Sequence, residues 1–286
     1  MTAQHKTQWL VITDLDGSML NHHSYAMDAA IPAIRLLQQK QVPIIFNTSK
    51  TFTESVTLQR TLQIEAPLIV ENGSAIYLPR SQFAEEPQCI DAANQVSQLE
   101  DYWCIQLGKP QAEIRQILDS LSLPSDSYQL LSECSVQQVM QLTGLAEADA
   151  KQAMHRDYSE PLLWLADETQ RNAFELLLEA HGLNTLQGGR FIHVLGNCDK
   201  GHASQQLKCF YTTSNTTVKT IVIGDSPNDA AMLSMADISV MINSPSNKAL
   251  QTLLVPHIRT RQEAPEGWAE AIKKALLKIP QEEAPL

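Results

Sequence analysis

The sequence predicts an α/β protein in which a Rossmann-like core with a parallel sheet carries an inserted α+β cap domain. Short apolar runs alternate with helical patterns at both ends of the 286-residue chain, as they do in βαβ units. The middle of the chain lacks this alternation. Two acidic loops follow apolar runs near opposite ends of the chain, and a parallel sheet would bring such loops to one edge.

The first part of the core is assigned to residues 1–82. Strand patterns alternate there with helical patterns, with strands near 8–13, 42–46 and 68–70 and helices near 28–40 and 51–63. Thr51 followed by Glu54 fits a capping box, which predicts where the second helix begins. Thr48 therefore lies at the exit of the second strand.

The second part of the core is assigned to residues 196–286, where the same alternation resumes. The pattern predicts helices near 201–210, 228–235, 248–254 and 266–278 and strands near 218–224 and 238–242. The two ends of the chain are thus expected to form one interrupted domain.

Residues 83–195 between them are assigned to the cap. Helices are predicted near 111–121, 136–142, 147–154 and 168–181, and strands near 103–106, 162–166 and 190–195. Asp167 can cap the last of these helices, and Gly182 can end it. We expect this segment to cover the edge of the core sheet where the acidic loops meet.

Composition narrows the range of partners. The 21 basic and 32 acidic residues give a formal net charge of −11, which disfavours nucleic acid as a partner. No apolar stretch approaches the roughly 18 residues that a membrane helix needs, so we expect a soluble, cytoplasmic protein. The sequence leaves the oligomeric state open. The cysteines show no metal-binding spacing and are expected to be reduced thiols: Cys89, Cys104, Cys134, Cys198 and Cys209.

The two acidic loops predict a magnesium-dependent phosphoryl-transfer site. Asp14 and Asp16 follow the apolar run 9–12, and Asp225 and Asp229 follow the run 221–223. Two carboxylates at a strand exit can supply a nucleophile and a proton donor, and Mg²⁺ prefers oxygen ligands. Taken alone, an Asp-x-Asp pair is also common as a solvated or helix-capping pair. A calcium loop is excluded, because Gly17 stands at its fourth position, where the loop needs glycine at its sixth.

With Thr48 and Lys200 included, the chain resembles the haloacid dehalogenase superfamily, whose phosphatases work through an aspartyl phosphate. Residues 14–18 fit the first motif of that superfamily, Thr48 the second and Lys200 the third, and Asp225 with Asp229 fits the fourth. Ser18 stands where threonine is commoner, but it keeps a hydroxyl group. The order of the motifs and their strand context also agree.

The resemblance implies a role for each motif residue. Asp14 would be the nucleophile and Asp16 the general acid and base, while Lys200 would balance the charge of carboxylate and phosphate. Thr48 and the amide near Asn228 would hold phosphate oxygens. The Mg²⁺ ligands would come from the first and fourth motifs: Asp14, the backbone carbonyl of Asp16, and Asp225, with Asp229 orienting them. Two alternatives stay open, a solvated lysine at position 200 and a helix-capping hydroxyl at position 48.

About 150 residues separate Thr48 from Lys200, and a cap in this place resembles the Cof-type branch of the superfamily. Further segments resemble the mannosyl-3-phosphoglycerate phosphatase family: residues 47–51, 70–77, 156–161, 188–191 and 196–201. That resemblance implies hydrolysis of mannosyl-3-phosphoglycerate to mannosylglycerate and phosphate. The alternatives are a glucosyl-3-phosphoglycerate phosphatase, a general sugar phosphatase, a phosphomutase and a non-catalytic phosphometabolite-binding protein.

Such a substrate carries a phosphate, a carboxylate and a sugar. Glu71 and Asn72 are candidates for hydrogen bonds to sugar hydroxyls, and Arg156 or Arg190 is a candidate to pair with the glycerate carboxylate. Each has a structural alternative. Asn72 with the following glycine also fits a tight turn, and Arg156 fits a surface salt bridge.

Overall fold

The computed structural model describes residues 6–88, 94–121, 126–188, 190–245 and 247–285. The strands are β1 (Lys6–Thr13), β2 (Ile44–Asn47), β3 (Leu68–Val70), β4 (Ala75–Pro79), β5 (Gln95–Leu99), β6 (Tyr102–Gln106), β7 (Tyr128–Leu130), β8 (Ser159–Trp164), β9 (Leu183–Gly188), β10 (Phe191–Gly196), β11 (Thr216–Gly224), β12 (Ile238–Met241) and β13 (Ile258–Arg259). The helices are α1 (Ile31–Gln39), α2 (Phe52–Leu62), α3 (Gln111–Ser120), α4 (Val136–Thr143), α5 (Glu147–Met154), α6 (Glu168–Ala180), α7 (Lys200–Cys209), α8 (Ala230–Ser234), α9 (Asn247–Leu253) and α10 (Glu266–Leu276).

The larger sheet has the strand order β13–β12–β11–β1–β2–β3–β4–β6–β5. Strands β13 to β3 run parallel, whereas β4, β6 and β5 continue the sheet in antiparallel fashion. Strand β1 lies between β11 and β2, where Val11 is aligned with Ile221 on one side and Ile44 on the other. The carboxyl ends of β1, β2 and β11 therefore meet at one edge of the sheet.

Strand β1 is buried on both faces. Leu10, Val11 and Ile12 are each 0 % exposed, although neighbouring side chains of a strand point to opposite faces. Burial on both sides is typical of a parallel sheet covered by helices. The run of apolar residues that predicts this strand is continuous because both faces of the strand are buried.

The second sheet is antiparallel and has the order β7–β8–β10–β9. Helices α3 and α6 pack on one face, where Ile114 of α3 and Phe174 of α6 lie in one apolar cluster with Ile192 of β10. Phe191, the neighbour of Ile192 in β10, packs instead in the cluster with Val139 and Ala150 of α4 and α5. This sheet and its helices form the α+β unit that the sequence predicts, so the predicted fold class is confirmed.

Two strands inside the predicted cap segment belong to the larger sheet. Strand β6 pairs with β4, and β5 pairs with β6, so residues 95–106 extend the core sheet. The second sheet begins only at Tyr128. The division of the chain at residues 83 and 195 stays a prediction, and this hydrogen bonding favours a later start of the cap.

Most predicted helices and their caps are confirmed. The side chain of Thr51 accepts a hydrogen bond from Glu54 N at 3.2 Å, and Glu54 Oε2 accepts one from Thr51 N at 2.9 Å. Asp167 caps α6 in the same way. The predicted helix near 228–235 is wrong at its start, because residues 227–229 form a separate 3₁₀ turn before α8. The side chain of Asp229 accepts bonds from two preceding amides and tightens the chain there.

None of the helices in the described part of the chain combines the length and the apolar character needed to cross a membrane. Cys104, Cys134 and Cys198 are free thiols in the described residues, and Cys89 lies outside them.

Candidate active site

Asp14 lies directly after β1, at the edge where the parallel strands end. Its side chain is only 7 % exposed, and its Oδ1 lies 2.6 Å from Lys200 Nζ. Burial raises the pKa of Asp14 and the neighbouring charge of Lys200 opposes this rise, which leaves the pKa at about 7. The structure thus brings a buried carboxylate and a buried ammonium group into contact across 186 residues of sequence.

Lys200 begins helix α7 and is fully enclosed. Its Nζ also lies 2.7 Å from Asp229 Oδ1, and both side chains are 0 % exposed. Burial disfavours the charge of Lys200, but Asp14 and Asp229 outweigh it, so the pKa of this lysine is raised. The alternative of a solvated lysine is wrong. Asn47, at the end of β2, fixes the start of α7 by donating to the Lys200 carbonyl at 2.9 Å.

Three carboxylates form one buried cluster. Asp14, Asp225 and Asp229 each offer an oxygen, and these oxygens lie within 4.8 Å of one another. Burial raises the pKa of Asp225, as do the neighbouring charges of Asp229 and Asp14. Oxygen donors at this spacing fit a small divalent cation, because carboxylates and water are the ligands that Mg²⁺ prefers.

Backbone amides and glycine shape the loop that carries Asp225. Asp229 Oδ2 accepts hydrogen bonds from Asp225 N at 2.9 Å and Ser226 N at 3.1 Å. The hydroxyl of Ser18 donates to Asp225 Oδ1 at 3.4 Å. Gly17 has φ +82, and a Cβ there would lie 2.7 Å from Asp225 Oδ2. Any side chain at position 17 would therefore push into the carboxylate cluster.

Asp16 stands beside this cluster, with its carboxylate turned elsewhere. Its Oδ2 lies 2.9 Å from Lys50 Nζ, while its Oδ1 is buried without a hydrogen-bond partner in the described residues. Lys50 also lies 3.6 Å from Glu54 and 5.0 Å from the ring centroid of Tyr25. Burial disfavours the charge of Lys50, but Asp16 and Glu54 outweigh it and raise its pKa. No sequence pattern indicated a role for Lys50, although it stands two residues after Thr48.

Thr48 is buried at the exit of β2. Its Oγ1 accepts a hydrogen bond from Lys50 N at 3.2 Å, and its carbonyl accepts one from Asn72 N at 2.9 Å. Helix α2 begins later and is capped by Thr51. The alternative that Thr48 is a helix cap is therefore wrong.

Residues 71–73 form a tight turn between β3 and β4, as the structural alternative for this segment predicts. Glu71 and Asn72 adopt φ values of +48 and +60, which side-chain-bearing residues rarely do. A Cβ on Gly73 would lie 2.3 Å from the carbonyl oxygen of Asp199, just before Lys200. Asn72 Oδ1 accepts a hydrogen bond from Asn228 Nδ2 at 3.1 Å. The turn thus joins the loops of the second, third and fourth motifs.

Glu71 links this edge to residues that lead into β8. Its two carboxylate oxygens accept hydrogen bonds from Asp157 N at 2.9 Å, Tyr158 N at 3.3 Å and Ser159 Oγ at 2.5 Å. Burial raises the pKa of Glu71, and the nearby charge of Arg156 opposes this rise. The carboxylate is 1 % exposed and is occupied by these contacts.

The two arginines have different surroundings. Arg156 is buried, donates to Ser49 O at 3.1 Å and Ser159 Oγ at 3.0 Å, and lies 3.8 Å from Glu71 Oε2. The alternative of a surface salt bridge is wrong for it. Arg190 is exposed in the turn between β9 and β10, next to residue 189, which lies outside the described residues. It stands at the opposite end of β10 from the segment that leads to Lys200, so the structure does not bring it to the other site residues.

His193 of β10 is a further buried polar residue, and no sequence motif indicated it. Burial and, to a lesser degree, the charge of Arg156 together lower the pKa of His193 to about 3. Its Nδ1 has no hydrogen-bond partner in the described residues, and a Cβ on Gly188 would lie 2.7 Å from its Nε2. Its place in an alternating strand gives no sequence signal that separates it from a surface histidine.

This geometry can support displacement at a phosphorus atom. Asp14 supplies a carboxylate, Lys200 balances negative charge beside it, and Asp16 has one buried oxygen left for a further hydrogen bond. Phosphoryl transfer depends mainly on such positioning and charge neutralisation.

Comparisons with known proteins agree with the geometry. A model of the haloacid dehalogenase-like hydrolases matches residues 11–123 and 167–267. The chain is 34 % identical over 266 residues to a glucosyl-3-phosphoglycerate/mannosyl-3-phosphoglycerate phosphatase of Methanococcoides burtonii, covering 92 % of this chain and 95 % of the relative. It is 33 % identical over 274 residues to the protein of that name from Persephonella marina, covering 94 % and 98 %.

Solved structures share the fold. A haloacid dehalogenase-like hydrolase from B. subtilis matches with a TM-score of 0.64 at 17 % sequence identity, covering 92 % of this chain and 98 % of that one. The family model and the two relatives confirm the resemblance that the sequence motifs predict. The chain therefore belongs to the haloacid dehalogenase-like hydrolases.

Proposed function

We propose that this hydrolase removes phosphate from a glycosyl-3-phosphoglycerate, with mannosyl-3-phosphoglycerate as the first candidate and glucosyl-3-phosphoglycerate as the second. The observation that carries the proposal is the buried Lys200 ammonium group bridging Asp14 and Asp229, since this arrangement balances charge around a nucleophilic carboxylate. The names of the two relatives support the substrate class, because both are described as acting on these two compounds.

In the proposed reaction, an Asp14 oxygen attacks phosphorus and the bond from phosphorus to the glycerate oxygen breaks. Asp16 donates the proton that this leaving oxygen needs. A water molecule then attacks the phosphoaspartate and gives its proton to Asp16, so phosphate leaves and both carboxyl groups return to their starting states. Dividing hydrolysis into two displacements makes each of them easier.

The carboxylate cluster is the proposed Mg²⁺ site. Asp14, Asp225 and the backbone carbonyl of Asp16 would hold the ion, and Asp229 would orient the ligands, since it binds the amide of Asp225. When bound, Mg²⁺ would offset the negative charge of the transferring phosphoryl group. Lys200 holds Asp14 in place for the attack.

We also propose which residues contact the substrate. Asn228 and Thr48 lie in loops that meet at the strand ends, and we assign them to the phosphate oxygens. Asn72, which contacts Asn228, is assigned to the sugar. For Glu71, Arg156 and Arg190, contact with the substrate stays a prediction, and Glu71 would have to give up bonds to Asp157 and Ser159 to make it.

The test is a phosphate-release panel containing mannosyl-3-phosphoglycerate, glucosyl-3-phosphoglycerate and simple hexose phosphates, each with Mg²⁺ and with chelator. We expect the highest kcat/KM for a glycosyl-3-phosphoglycerate, no turnover in chelator, and none for Asp14→Asn. A higher kcat/KM for hexose phosphates would favour a general sugar phosphatase. Tight ligand binding without turnover would favour a binding protein, and transfer to a second sugar would favour a phosphomutase.

A further inference from the structure

Lys50 carries a charge that the proposed chemistry does not use. Its side chain is 13 % exposed, and its Nζ lies 2.9 Å from Asp16 Oδ2. Its second acidic neighbour, Glu54, is more distant at 3.6 Å and also accepts the capping hydrogen bond from Thr51 N. A largely buried ammonium group next to the residue that serves the leaving oxygen is well placed to contact the leaving group itself.

The two oxygens of Asp16 have different surroundings. Oδ2 is held by Lys50, whereas Oδ1 is buried and has no hydrogen-bond partner in the described part of the chain. A buried polar oxygen without a partner is costly, so Asp16 Oδ1 would gain stability from a hydrogen bond to a bound ligand. In the proposed reaction the leaving oxygen makes that hydrogen bond. Lys50 and the leaving oxygen would then contact the two oxygens of one carboxyl group.

We propose that Lys50 binds the carboxylate of the leaving group and makes the enzyme selective for phosphate esters of hydroxy acids. This inference rests on the proposed function. In a 3-phosphoglycerate ester, three single bonds join the leaving oxygen to the carboxyl carbon, a span of roughly 3–4 Å with bonds of about 1.5 Å. A substrate whose leaving oxygen contacts Asp16 Oδ1 therefore carries its carboxylate within reach of the Lys50 ammonium group.

Two other buried cations near the site have partners other than Asp16. Lys200 contacts Asp14 and Asp229. Arg156 donates to a backbone carbonyl and to the Ser159 hydroxyl. Neither is paired with Asp16, whereas Lys50 is, so among the cations of the described residues Lys50 is the one that lies beside the proposed position of the leaving oxygen.

The experiment compares each glycosyl-3-phosphoglycerate with an analogue in which a hydroxymethyl group replaces the carboxylate. The full chain with Mg²⁺ is assayed for phosphate release, and the ratio of kcat/KM for the two substrates is the readout. The variants are Lys50→Met, the rival Arg156→Met, and the control Lys151→Met, which removes an exposed lysine paired with Glu147 on α5.

Lys50→Met is expected to lower the ratio by about tenfold to hundredfold, the size expected for one hydrogen bond between charged groups. Lys151→Met is expected to leave the ratio unchanged. The proposal is overturned if Lys50→Met lowers kcat/KM equally for both substrates, since Lys50 would then act only on Asp16. It is also overturned if the wild type shows no preference for the carboxylate, or if Arg156→Met lowers the ratio and Lys50→Met does not.

Binding provides a readout if Lys50→Met has no measurable turnover. Calorimetry with mannosylglycerate and mannosylglycerol should show that the wild type prefers the carboxylate and that Lys50→Met does not, whereas an equal preference in both proteins overturns the proposal. Lys50→Gln replaces Lys50→Met if the latter does not fold. Failure of the proposed function would appear separately, as a higher wild-type kcat/KM for hexose phosphates. The ratio is then measured with 3-phosphoglycerate and glycerol 3-phosphate, with the same two outcomes.

Discussion

Replacing Lys200 with methionine tests the charge balance of the site. The ammonium group is 0 % exposed and lies 2.6 Å from Asp14 and 2.7 Å from Asp229, with Asp225 in the same cluster. Removing one partner of a buried ion pair typically costs about 3–5 kcal/mol, because the other charge stays buried without compensation. We therefore expect the free energy of unfolding of Lys200→Met in chelator to fall by about this amount, measured by urea denaturation.

Lys208→Met is the matched control on the same helix. Lys208 is 31 % exposed and lies 3.9 Å from Asp237, and exposed ion pairs contribute only about 0–1 kcal/mol. Mg²⁺ is expected to restore more stability to Lys200→Met than to the wild type, because a cation would again face the carboxylates. Equal stability of the two variants in chelator would refute the reasoning.

Three further predictions follow from buried groups and from the acidic cluster. Because the pKa of His193 is lowered to about 3, the unfolded chain binds a proton below pH ~6.5 that the folded chain does not. As the pH is lowered from about 6.5 to about 3, the free energy of unfolding should then fall by up to about 1.4 kcal/mol per pH unit. Urea titrations at several pH values should show a shallower dependence of this free energy on pH for His193→Gln and an unchanged dependence for His23→Gln. Gly144→Ala, with open space around its Cβ, should cost about 1–2 kcal/mol in thermal unfolding for its positive φ alone. Gly73→Ala should cost more and reduce phosphate release, since its Cβ would meet backbone, so equal costs would contradict the described turn. Asp225→Asn should weaken Mg²⁺ binding in calorimetry, and an unchanged affinity would remove this residue from the proposed site.

The strand exits are the part of the site that the sequence predicts best. Asp14, Thr48 and Asp225 each follow an apolar run that forms a parallel strand, and the sheet brings those ends together. The physical cause is local, since buried strands need apolar side chains and the polar residue that follows marks the sheet edge. The position of Lys200 could not be predicted from a local pattern. Its contact with Asp14 spans 186 residues, and only the family resemblance indicates it.

Contacts between the two sheet systems could not be predicted in this way. Glu71 was a candidate for sugar hydroxyls, but its carboxylate binds the chain near Asp157 and Ser159, which depends on how the segment before β8 lies against the core. The contact of Lys50 could not be predicted for a similar reason. Its ion pair with Asp16 depends on the direction in which the loop after β2 turns.

Strand β5 could not be predicted from its side chains, whereas its partner β6 was predicted near residues 103–106. All but one residue of β5 are exposed, so the strand lacks the apolar alternation that would predict it. Its hydrogen bonds to β6, rather than its side chains, attach it to the core sheet. The place of this hairpin in the larger sheet depends on backbone hydrogen bonds, which side-chain patterns do not indicate.

The proposed chemistry depends most directly on a covalent phosphoaspartate at Asp14. Asp16→Asn should slow breakdown of this intermediate, so the variant is mixed with p-nitrophenyl phosphate and Mg²⁺, quenched in acid, digested and examined by mass spectrometry. We expect the peptide that contains Asp14 to gain the mass of one phosphoryl group. The double variant with both Asp14→Asn and Asp16→Asn should show no such gain. Release of p-nitrophenol without any adduct, or an adduct on another peptide, would contradict the proposed mechanism.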